Sequence, residues 1–487
     1  MINIIANVVQ YKNRLAIGKD NRLLFRFEDD MNFFRDTTTG NQANKNVVLM
    51  GYNTYISIGN PLENRINIVL TKKTHLYNIF DPYSVDENRV YFMDINTFWE
   101  IYYSLKPNVF VIGGSQIYDL FIYRAKNIYI TNIKTHDNKD VKFSPENEPN
   151  VFLNHLPSKF KLKTISDIHF SKSKLYSYRF LKYEEGTGRS HEYRYVDLLK
   201  QILSVGNTRE DRTQTGTISI FGTQLHFDIS ESIPLMTLKQ IPFRIILEEL
   251  LWFCRGDTDS KILKNKNVHI WDGNTSREFL DKQGLTEYDE GILGAGYGFQ
   301  WRHHGAEYNQ EYADTSKVDR EVIGGFDQLR YVEDLLKTDP FSRRIVISAW
   351  NPSDFAKTAL VPCHILLQFY VEQIGDEKHL SCQFYMRSND VFLANVFNVV
   401  SYTVLTYILA LKCNMKPKEI IYTCGDAHIY RNHLEQVNEL LSRKPRPFPK
   451  LILNDSLKLK DWSEMEETDF DLIGYFPHSP IRAPMAI

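Results

Sequence analysis

Residues 1–183 alternate between two kinds of segment, and this alternation constrains the fold more than any other feature of the chain. Short runs rich in β-branched and aromatic residues lie at 3–9, 46–50, 65–70, 108–112 and 127–133. Helix-like segments separate them, at 29–37, 95–105 and 115–124. Strands that alternate with helices favour an α/β domain with a mostly parallel sheet and helices on its faces. Residues 172–183 predict one further strand.

A short polar segment with two glycines, at 184–190, follows this part of the chain. Its composition is typical of a linker, and its shortness predicts two closely tied domains. The predicted boundaries are therefore a first domain at 1–183, a linker at 184–190 and a second domain at 191–487. In the second domain, helices are predicted at 193–204, 243–254 and 397–411, and strands within 218–227.

The 487 residues have a globular composition, with 43% hydrophobic residues, 24% charged residues and a formal net charge of −2. Nothing in this balance indicates nucleic acid or a membrane as a main partner. Five cysteines without metal-type spacing indicate a reducing compartment and no metal site. The N-terminus lacks a basic signal region, and the longest apolar stretches, such as 402–411, are too short to span a bilayer. We therefore expect a cytoplasmic protein.

A cysteine between a proline and a histidine is the strongest chemical signal in the second domain. Cys363 lies in Leu-Val-Pro-Cys-His, with Arg343 and Arg344 upstream and Arg387 downstream. A thiol attacks as its thiolate, which nearby guanidinium groups stabilise. The same groups can hold a phosphate. This segment predicts a cysteine nucleophile beside an anionic substrate.

Other residues of the second domain also indicate chemistry. Arg212 lies in a turn of small polar residues suited to an anion. Glu249 is a carboxylate on an apolar helix, where burial without a partner is costly, so it is a functional candidate. The alternative for Glu249 is an ordinary carboxylate on the helix surface. His428 and Tyr430 share one face of a predicted strand, because alternate residues do so.

Together these residues resemble thymidylate synthase over about 191–487. The shared motifs, in the family's order, are Ile-Trp-Asp (270–272), Tyr-Gly-Phe-Gln-Trp-Arg (297–302), the Pro-Cys-His block and Gly-Asp-Ala-His-Ile-Tyr (425–430). The resemblance implies an α+β domain in which Cys363 attacks C6 of the uracil ring of dUMP. The activated C5 would then take its carbon from 5,10-methylenetetrahydrofolate.

The resemblance also implies a role for each remaining candidate. Glu249 would organise proton transfers through water, and His364 would support the site without being the base. The dUMP-binding residues would be Arg212, Arg343, Arg344, Arg387, Ser388, Asn398, His428 and Tyr430. The folate-binding residues would be Asp390, Trp271, Asn274 and Leu393. Arg343 and Arg344 would come from the other subunit, which implies a homodimer through this domain.

Two segments depart from the thymidylate synthase pattern. Gly-Ala-Gly-Tyr at 294–297 stands where the family has Gly-Pro-Val-Tyr, and Ala-Asn-Val at 394–396 replaces Gly-Leu-Pro. The second departure lies beside the implied folate and uracil pocket. It bears on the geometry of that loop more than on the chemistry.

In the first domain, Asp30 shares one face of a predicted helix with Phe33, Phe34 and Thr37. A carboxylate on an aromatic face can recognise a planar, amidine-like edge. The alternative is a carboxylate placed near a helix N-terminus by the helix dipole. Further along, Ile-Gly-Gly-Ser at 112–115 ends a predicted strand and begins a helix, which favours a phosphate site made of backbone N–H groups.

With other segments, at 17–19, 49–54 and 61–71, these residues resemble dihydrofolate reductase over about 2–183. The resemblance implies that Asp30 binds the pterin and promotes protonation of N5, with Thr131 behind it. The folate-binding residues would be Asp30, Met31, Phe34, Arg65, Ile112 and Thr131. The NADPH-binding residues would be Ala6, Ile17, Gly18, Gly51, Tyr52, Asn53, Thr54, Thr71, Lys72, Gly113, Gly114, Ser115, Gln116, Ile117 and Tyr118.

This domain also departs from its family. Phe25 replaces the usual tryptophan and loses its indole donor, and Leu24 replaces the usual proline. Tyr52 replaces the Arg or Lys that usually follows Gly51. Lys72 and Lys73 would then favour NADPH over NADH through the 2′-phosphate.

The order of the two domains resembles the fused bifunctional family of protists and plants. We therefore predict one chain that carries out two consecutive steps of thymidylate synthesis, methylating dUMP and then reducing the dihydrofolate product with NADPH. The alternative hypothesis is an active synthase whose reductase-like domain only binds folate or supports the structure, which the altered 21–25 loop motivates. RNA binding is a third hypothesis, and no basic aromatic patch supports it.

Overall fold

A computed structural model describes residues 1–41, 45–78, 80, 89–210, 215–318 and 320–484. The chain divides into two compact units. The first unit comprises Met1–Ser190 with two short C-terminal segments, Lys444–Phe448 and Gly474–Ser479. The Arg446 guanidinium joins these two segments by donating to the carbonyl oxygens of Phe476 and Pro477, at 3.0 and 2.9 Å. No pattern in the sequence indicated that either segment belongs with the first unit.

The first unit is built on a sheet of eleven strands within the described residues. The strands are β1 Ile2–Tyr11, β2 Arg14–Gly18, β3 Val47–Gly51, β4 Ile66–Leu70, β5 Val90–Met93, β6 Val109–Gly113, β7 Asn127–Thr135, β8 Val151–Leu153, β9 Phe160–Ile165, β10 His169–Phe170 and β11 Tyr176–Glu185. The main order is β10-β11-β7-β1-β6-β3-β4-β5, and the six strands from β7 to β5 run parallel. The predicted mostly parallel sheet is confirmed.

Helices flank this sheet and follow its strands in the predicted alternation. They are α1 Glu28–Thr38, α2 Tyr52–Ile58, α3 Ile95–Leu105 and α4 Ser115–Phe121. Residues 47–50 of β3 are all buried, as expected for a parallel strand covered on both faces. The Asp94 side chain fixes the start of α3 by accepting from the backbone N–H groups of Asn96 and Thr97. The predicted helix at 115–124 ends earlier, because its last three residues form a 3₁₀ turn.

The second unit combines a mostly antiparallel sheet with helices, so the predicted α+β architecture is confirmed. Its strands are β12 Asn207–Arg209, β13 Thr217–Asp228, β14 Val346–Ser348, β15 His364–Ile374, β16 Glu377–Asp390, β17 Lys416–Tyr430, β18 Lys450–Leu453 and β19 Phe470–Ile473. Its helices are α5 Glu192–Val205, α6 Phe243–Arg255, α7 Lys261–Asn265, α8 Arg277–Lys282, α9 Tyr297–His303, α10 Arg320–Ile323, α11 Gln328–Thr338, α12 Asn395–Lys412 and α13 Leu434–Ser442. The main sheet has the order β12-β13-β17-β16-β15-β14, and only β16 and β17 of its described strands pair in parallel.

Helix α12 lies in the core of the second unit and packs on β16 and β17. Its 18 residues are long and apolar enough to cross a membrane by length and composition, but 78% of them are buried within the protein. The expectation that every apolar stretch is too short to span a bilayer was therefore wrong. The helix exceeds the apolar stretch at 402–411 because polar residues such as Asn398 and Ser401 are part of it. Its burial is that of a core helix.

Candidate active sites

Three strands of the second unit bring predicted site residues together at one edge of the sheet. Because β16 and β17 are parallel, their carboxyl ends lie side by side, and Asp390 pairs with His428. Strand β15 runs the opposite way and begins next to this edge, where His364 pairs with Met386. Cys363 immediately precedes β15. The segments 361–364, 387–390 and 428–430 therefore meet, although they are far apart in the sequence.

Backbone and side-chain contacts fix Cys363 at this edge. Its N–H donates to the Tyr297 hydroxyl oxygen at 2.9 Å, and its carbonyl accepts from the Arg387 N–H at 2.9 Å. The Arg387 guanidinium donates to the carbonyl oxygens of Pro362 and Val361, at 2.8 and 2.9 Å. These bonds hold the guanidinium Nη2 3.7 Å from Cys363 Sγ, where a thiolate would be stabilised.

Cys363 differs from the other cysteines in its surroundings. It is partly exposed, so a substrate can reach its thiol. Burial raises the pKa of each other thiol to about 12, which keeps it protonated: Cys254, Cys382, Cys413 and Cys424. Cys363 is therefore the cysteine best placed to act as a nucleophile.

His364 follows the nucleophile but is placed for support. Its ring stacks on Tyr297 with a centroid separation of 4.2 Å, and its Nδ1 lies within hydrogen-bonding distance of the Tyr402 hydroxyl. Burial lowers the pKa of His364 to about 3. The imidazole is consequently neutral near pH 7 and a weak proton acceptor.

Glu249 projects from α6 and pairs with a residue that we had predicted only as a folate contact. Trp271 Nε1 donates to Glu249 Oε1 at 2.8 Å. Burial raises the pKa of the Glu249 carboxyl to about 7, and the Trp271 bond opposes this rise. A carboxyl with a pKa near 7 can both accept and release a proton at physiological pH.

We expect Glu249→Gln to stabilise the protein at pH 8 much more than at pH 4. The folded pKa of about 7 exceeds the usual value of 4.5. Ionisation of Glu249 therefore lowers the free energy of unfolding as pH rises from 4.5 to about 7. The shift corresponds to about 3 kcal/mol at pH 8. Thermal unfolding at both pH values measures it.

Glu248→Gln is the matched control, because buried Glu248 pairs with Lys266 at 2.7 Å and its loss should destabilise the protein at pH 8. Equal stability of wild type and Glu249→Gln at both pH values would contradict the expected penalty.

A second polar group lies at the end of β17. His428 Nδ1 and Asp426 Oδ1 are 3.1 Å apart, and the Asp426 Oδ2 atom accepts from Arg209 at 3.0 Å. The His428 bond lowers the pKa of Asp426. The rings of His428 and Tyr430 are neighbours at 5.2 Å between centroids. We had not predicted Asp426 as a site residue, although it stands within the Gly-Asp-Ala-His-Ile-Tyr motif.

Of the predicted folate and uracil residues, Asp390 ends β16, and Leu393 and Asn398 follow it. Asp390 Oδ1 accepts from the N–H groups of Phe392 and Leu393 at 2.9 and 3.1 Å, which forms a tight turn into α12. Asn398 Nδ2 donates to the Ala394 carbonyl at 3.0 Å. The departure at 394–396 from the thymidylate synthase pattern therefore falls at the start of α12.

Lys239 is a buried residue of this region that our sequence analysis missed. Its ammonium donates to the Phe392 carbonyl at 2.6 Å, and burial lowers its pKa to about 8. The charge of Asp390 opposes this shift. A lysine within an otherwise apolar run, Ile-Pro-Leu-Met-Thr-Leu-Lys, was the available signal.

The remaining predicted synthase residues differ in location and exposure. Ser388 lies in β16 and is partly buried, and Asn274 lies in a turn after Trp271. Arg343 and Arg344 are exposed between α11 and β14, and among the described residues no hydrogen bond or ion pair holds either side chain. Arg212 lies outside the described residues.

In the first unit, Asp30 is a buried carboxylate on α1 held by two strands. Thr131 Oγ1 donates to Asp30 Oδ1 at 2.6 Å, as the predicted supporting role requires. Asn7 Nδ2 donates to Asp30 Oδ2 at 3.0 Å. Burial raises the pKa of Asp30, and these two bonds oppose the rise. Asn7 was not predicted as a site residue. The sequence feature that could have indicated it is an amide between Ala6 and Val8 in a mostly apolar strand.

Arg65 lies deeper than its predicted role at the folate glutamate suggested. It is buried, donating from Nη1 to Thr38 Oγ1 at 2.8 Å and from Nε to the Glu63 carbonyl at 2.9 Å. Burial lowers its pKa. The guanidinium carbon lies 5.8 Å from the Phe34 ring centroid. Met31, Phe34 and Ile112 are partly buried, as side chains that flank a ligand would be.

Two strand-to-helix turns lie beside each other in the first unit. Gly51 ends β3 and Gly113 ends β6, and Met50 pairs with Gly113 across the two strands. Gly113 has a φ of +128°, which favours glycine, and a Cβ on Gly51 would approach Ile117 Cγ1 to 3.0 Å. The turns leave backbone N–H groups near the starts of α2 and α4, which suits phosphate groups.

The predicted NADPH residues cluster at strand ends and these two turns. Among the strands, β1 contains Ala6, β2 ends with Ile17 and Gly18, and β4 is followed by Thr71 and Lys72. Helix α2 begins with Tyr52, Asn53 and Thr54. Helix α4 is preceded by Gly114 and begins with Ser115, Gln116, Ile117 and Tyr118. Lys73 Nζ lies 3.9 Å from the Tyr52 ring centroid, so a cation occupies the space beside the tyrosine that replaces the usual basic residue. Phe25 packs on Phe27 and Tyr176.

Known proteins match both units. A family model described as thymidylate synthase matches residues 193–487, and one described as dihydrofolate reductase matches residues 1–184. The chain is similar to a bifunctional dihydrofolate reductase-thymidylate synthase of Zea mays (38% identity over 99% of this chain and 96% of the relative). It is also similar to those of Daucus carota (40%, 99% and 95%) and Leishmania major (36%, 99% and 94%). The chain therefore belongs to the bifunctional dihydrofolate reductase–thymidylate synthase family.

Proposed function

We propose that dUMP binds at the edge of the six-stranded sheet and that Cys363 Sγ attacks C6 of its uracil ring. The observation that carries this proposal is the partly exposed Cys363 thiol, which lies 3.7 Å from the Arg387 guanidinium, where a thiolate would be stabilised. Arg387, Ser388 and the exposed arginines Arg343 and Arg344 hold the phosphate, together with Arg212. The same positive charges favour the thiolate.

The other groups at this edge orient the nucleoside and move protons. Asn398 offers both a donor and an acceptor to the uracil edge. His428, held by Asp426, and Tyr430 bind the ribose 3′-hydroxyl. Attack at C6 makes C5 nucleophilic, and C5 takes the methylene carbon of 5,10-methylenetetrahydrofolate. The C5 proton then leaves as the bond from that carbon to the folate nitrogen breaks, and Glu249, with a pKa of about 7, manages this proton transfer through water. A hydride from the resulting tetrahydrofolate reduces the exocyclic methylene to a methyl group while Cys363 Sγ leaves C6, which yields dTMP and dihydrofolate.

The first unit reduces the dihydrofolate that this reaction releases. The paired turns after β3 and β6 fit a dinucleotide phosphate chain, and Lys72 and Lys73 fit its 2′-phosphate. When bound, NADPH supplies a hydride to C6 of the pterin. Asp30 binds the pterin 2-amino group and ring nitrogen and promotes protonation of N5, while Thr131 orients its carboxylate.

A homodimer through the second unit completes the synthase site. Strand β15 turns Leu367, Phe369 and Val371 into the core, while Leu366 and Tyr370 on its opposite face are 40% and 66% exposed. Neighbouring strands of that face carry a polar ladder, in which Gln224 and Gln383 both donate to Thr423. A broad sheet face with exposed large apolar residues fits a protein interface. Arg343 and Arg344 then reach the partner's dUMP.

Mixing two inactive variants tests the shared site. Cys363→Ser lacks the nucleophile, and the double variant Arg343→Ala/Arg344→Ala lacks the donated arginines, so each alone should be inactive. Subunit exchange should restore about one quarter of the wild-type thymidylate synthesis, because half of the dimers are mixed and each has one complete site.

The matched control mixes Cys363→Ser with Glu249→Gln. Both residues belong to one chain's site, so the mixed dimer has two damaged sites and should stay inactive. If the arginine and cysteine variants likewise fail to complement after verified subunit exchange, the arginines act within their own chain.

A further inference from the structure

We infer that Asn7 is a positioning residue of the reductase site, whose amide orients the Asp30 carboxylate and favours its ionised form. The inference rests on the proposed role of Asp30 as the carboxylate that binds the pterin. It gives Asn7 a role in addition to the roles proposed for Asp30 and Thr131.

The geometry comes from two neighbouring parallel strands. Asn7 on β1 and Thr131 on β7 are direct cross-strand partners, so their side chains leave the sheet on the same face. Each donates to a different oxygen of Asp30: Thr131 to Oδ1 at 2.6 Å and Asn7 to Oδ2 at 3.0 Å. Two donors on the two oxygens fix both the position and the plane of the carboxylate.

This arrangement leaves the carboxylate matched to a planar ligand edge. An ionised carboxylate offers about four acceptor positions, of which the protein occupies one on each oxygen. One further position on each oxygen can accept from two N–H donors, such as the 2-amino group and ring nitrogen of a pterin. A protonated Asp30 would lose an acceptor, so a donor such as Asn7 favours the charged form.

The charged and titratable neighbours do not provide the same support. Glu28 and Asp29 on α1 are acidic, and Tyr178 on β11 donates to Asp29 at 3.1 Å instead of to Asp30. Among the described groups, Thr131 and Asn7 are the side chains whose hydrogen bonds offset the effect of burial on Asp30.

A purely structural role for a buried amide in β1 is visible nearby and looks different. Asn3 on the same strand donates to Asn108 Oδ1 at 2.8 Å and accepts from Asn127 at 2.8 Å, joining three neighbouring strand starts. Its partners are amides, none of them titratable. Asn3 therefore provides a matched control for Asn7.

The pH dependence of kcat/KM for dihydrofolate, at saturating NADPH, tests the inference in the full-length chain. Asn7→Leu replaces the amide with a side chain of similar size that cannot donate. We expect the ionisation of Asp30 to move upward by about one pKa unit, the usual effect of one hydrogen bond to a buried charge. Asn7→Gln keeps an amide donor and should restore part of the shift. Asp30→Asn identifies the ionisation, which should vanish from its residual activity.

Asn3→Ala should lower thermal stability without moving the profile. An unshifted profile in Asn7→Leu, or an equal shift in Asn3→Ala, would overturn the inference; Asn7→Ala gives the same comparison if leucine prevents folding. An Asp30→Asn enzyme with an unchanged rate and profile would instead refute the proposed role of Asp30.

Discussion

Replacing Cys363 with serine should reduce the kcat of thymidylate formation by roughly 10⁴-fold or more while leaving dihydrofolate reduction intact. A serine hydroxyl in this position gains little from a nearby guanidinium because it remains protonated, and removing a catalytic nucleophile has effects of this size or larger. Chromatographic separation of dTMP from dUMP measures the loss. Cys413→Ser, which changes a thiol at the end of α12, should keep the activity.

A nucleotide analogue tests the covalent step itself. With fluorine in place of hydrogen at C5 of dUMP, no proton can leave C5. The adduct with methylenetetrahydrofolate should therefore persist on the enzyme. Mass spectrometry should then find the adduct on the peptide that contains Cys363. Thymidylate formation by Cys363→Ser at a rate near that of wild type, or an adduct on another cysteine, would refute the assignment.

Replacing Asp30 with asparagine should lower the rate of dihydrofolate reduction by about 10²- to 10⁴-fold and leave thymidylate synthesis intact. The amide keeps the shape of the side chain but loses the charge that binds the pterin edge and supports protonation of N5. NADPH absorbance with added dihydrofolate measures the rate.

Asp29→Asn provides the control, since this adjacent carboxylate is more than half exposed and accepts from Tyr178. Comparable losses in the two variants would show that Asp30 has no special part in the reaction.

Thymidylate synthesis and dihydrofolate reduction are consecutive reactions of one bifunctional enzyme. Relatives whose names carry both activities align with nearly the whole chain. The alternative, a reductase-like unit that only binds folate or supports the structure, is therefore not favoured. The altered 21–25 loop keeps its aromatic packing through Phe25, which contacts Phe27 and Tyr176.

Local patterns were enough to predict much of the fold. The helix at 95–105 has the predicted bounds, and each strand predicted in the first unit lies within a few residues of an observed strand. This agreement reflects the strict periodicity of short strands and amphipathic helices. Part of the Cys363 site could also be predicted from the sequence. Its neighbour Arg387 lies on β16, the strand that comes directly after β15 in the chain and pairs with it.

Contacts between distant residues could not be predicted in the same way. The pairs Trp271–Glu249, Tyr297–Cys363 and Asn7–Asp30 depend on how elements pack, and Asn7 meets Asp30 only through the register of β1 on β7. The two C-terminal segments of the first unit likewise lack a local pattern. In the proposed homodimer, the contacts of Arg343 and Arg344 would depend on a second chain, which no pattern within one chain describes.

The most direct test of two linked activities in this chain is oxidation of NADPH that depends on dUMP. With dUMP, 5,10-methylenetetrahydrofolate and NADPH but no added dihydrofolate, the wild-type enzyme should oxidise one NADPH for each dTMP formed. Cys363→Ser should oxidise none under these conditions, whereas Asp30→Asn should form dTMP and accumulate dihydrofolate. Formation of dTMP by the wild-type enzyme without matching loss of NADPH would contradict the consecutive action of the two sites.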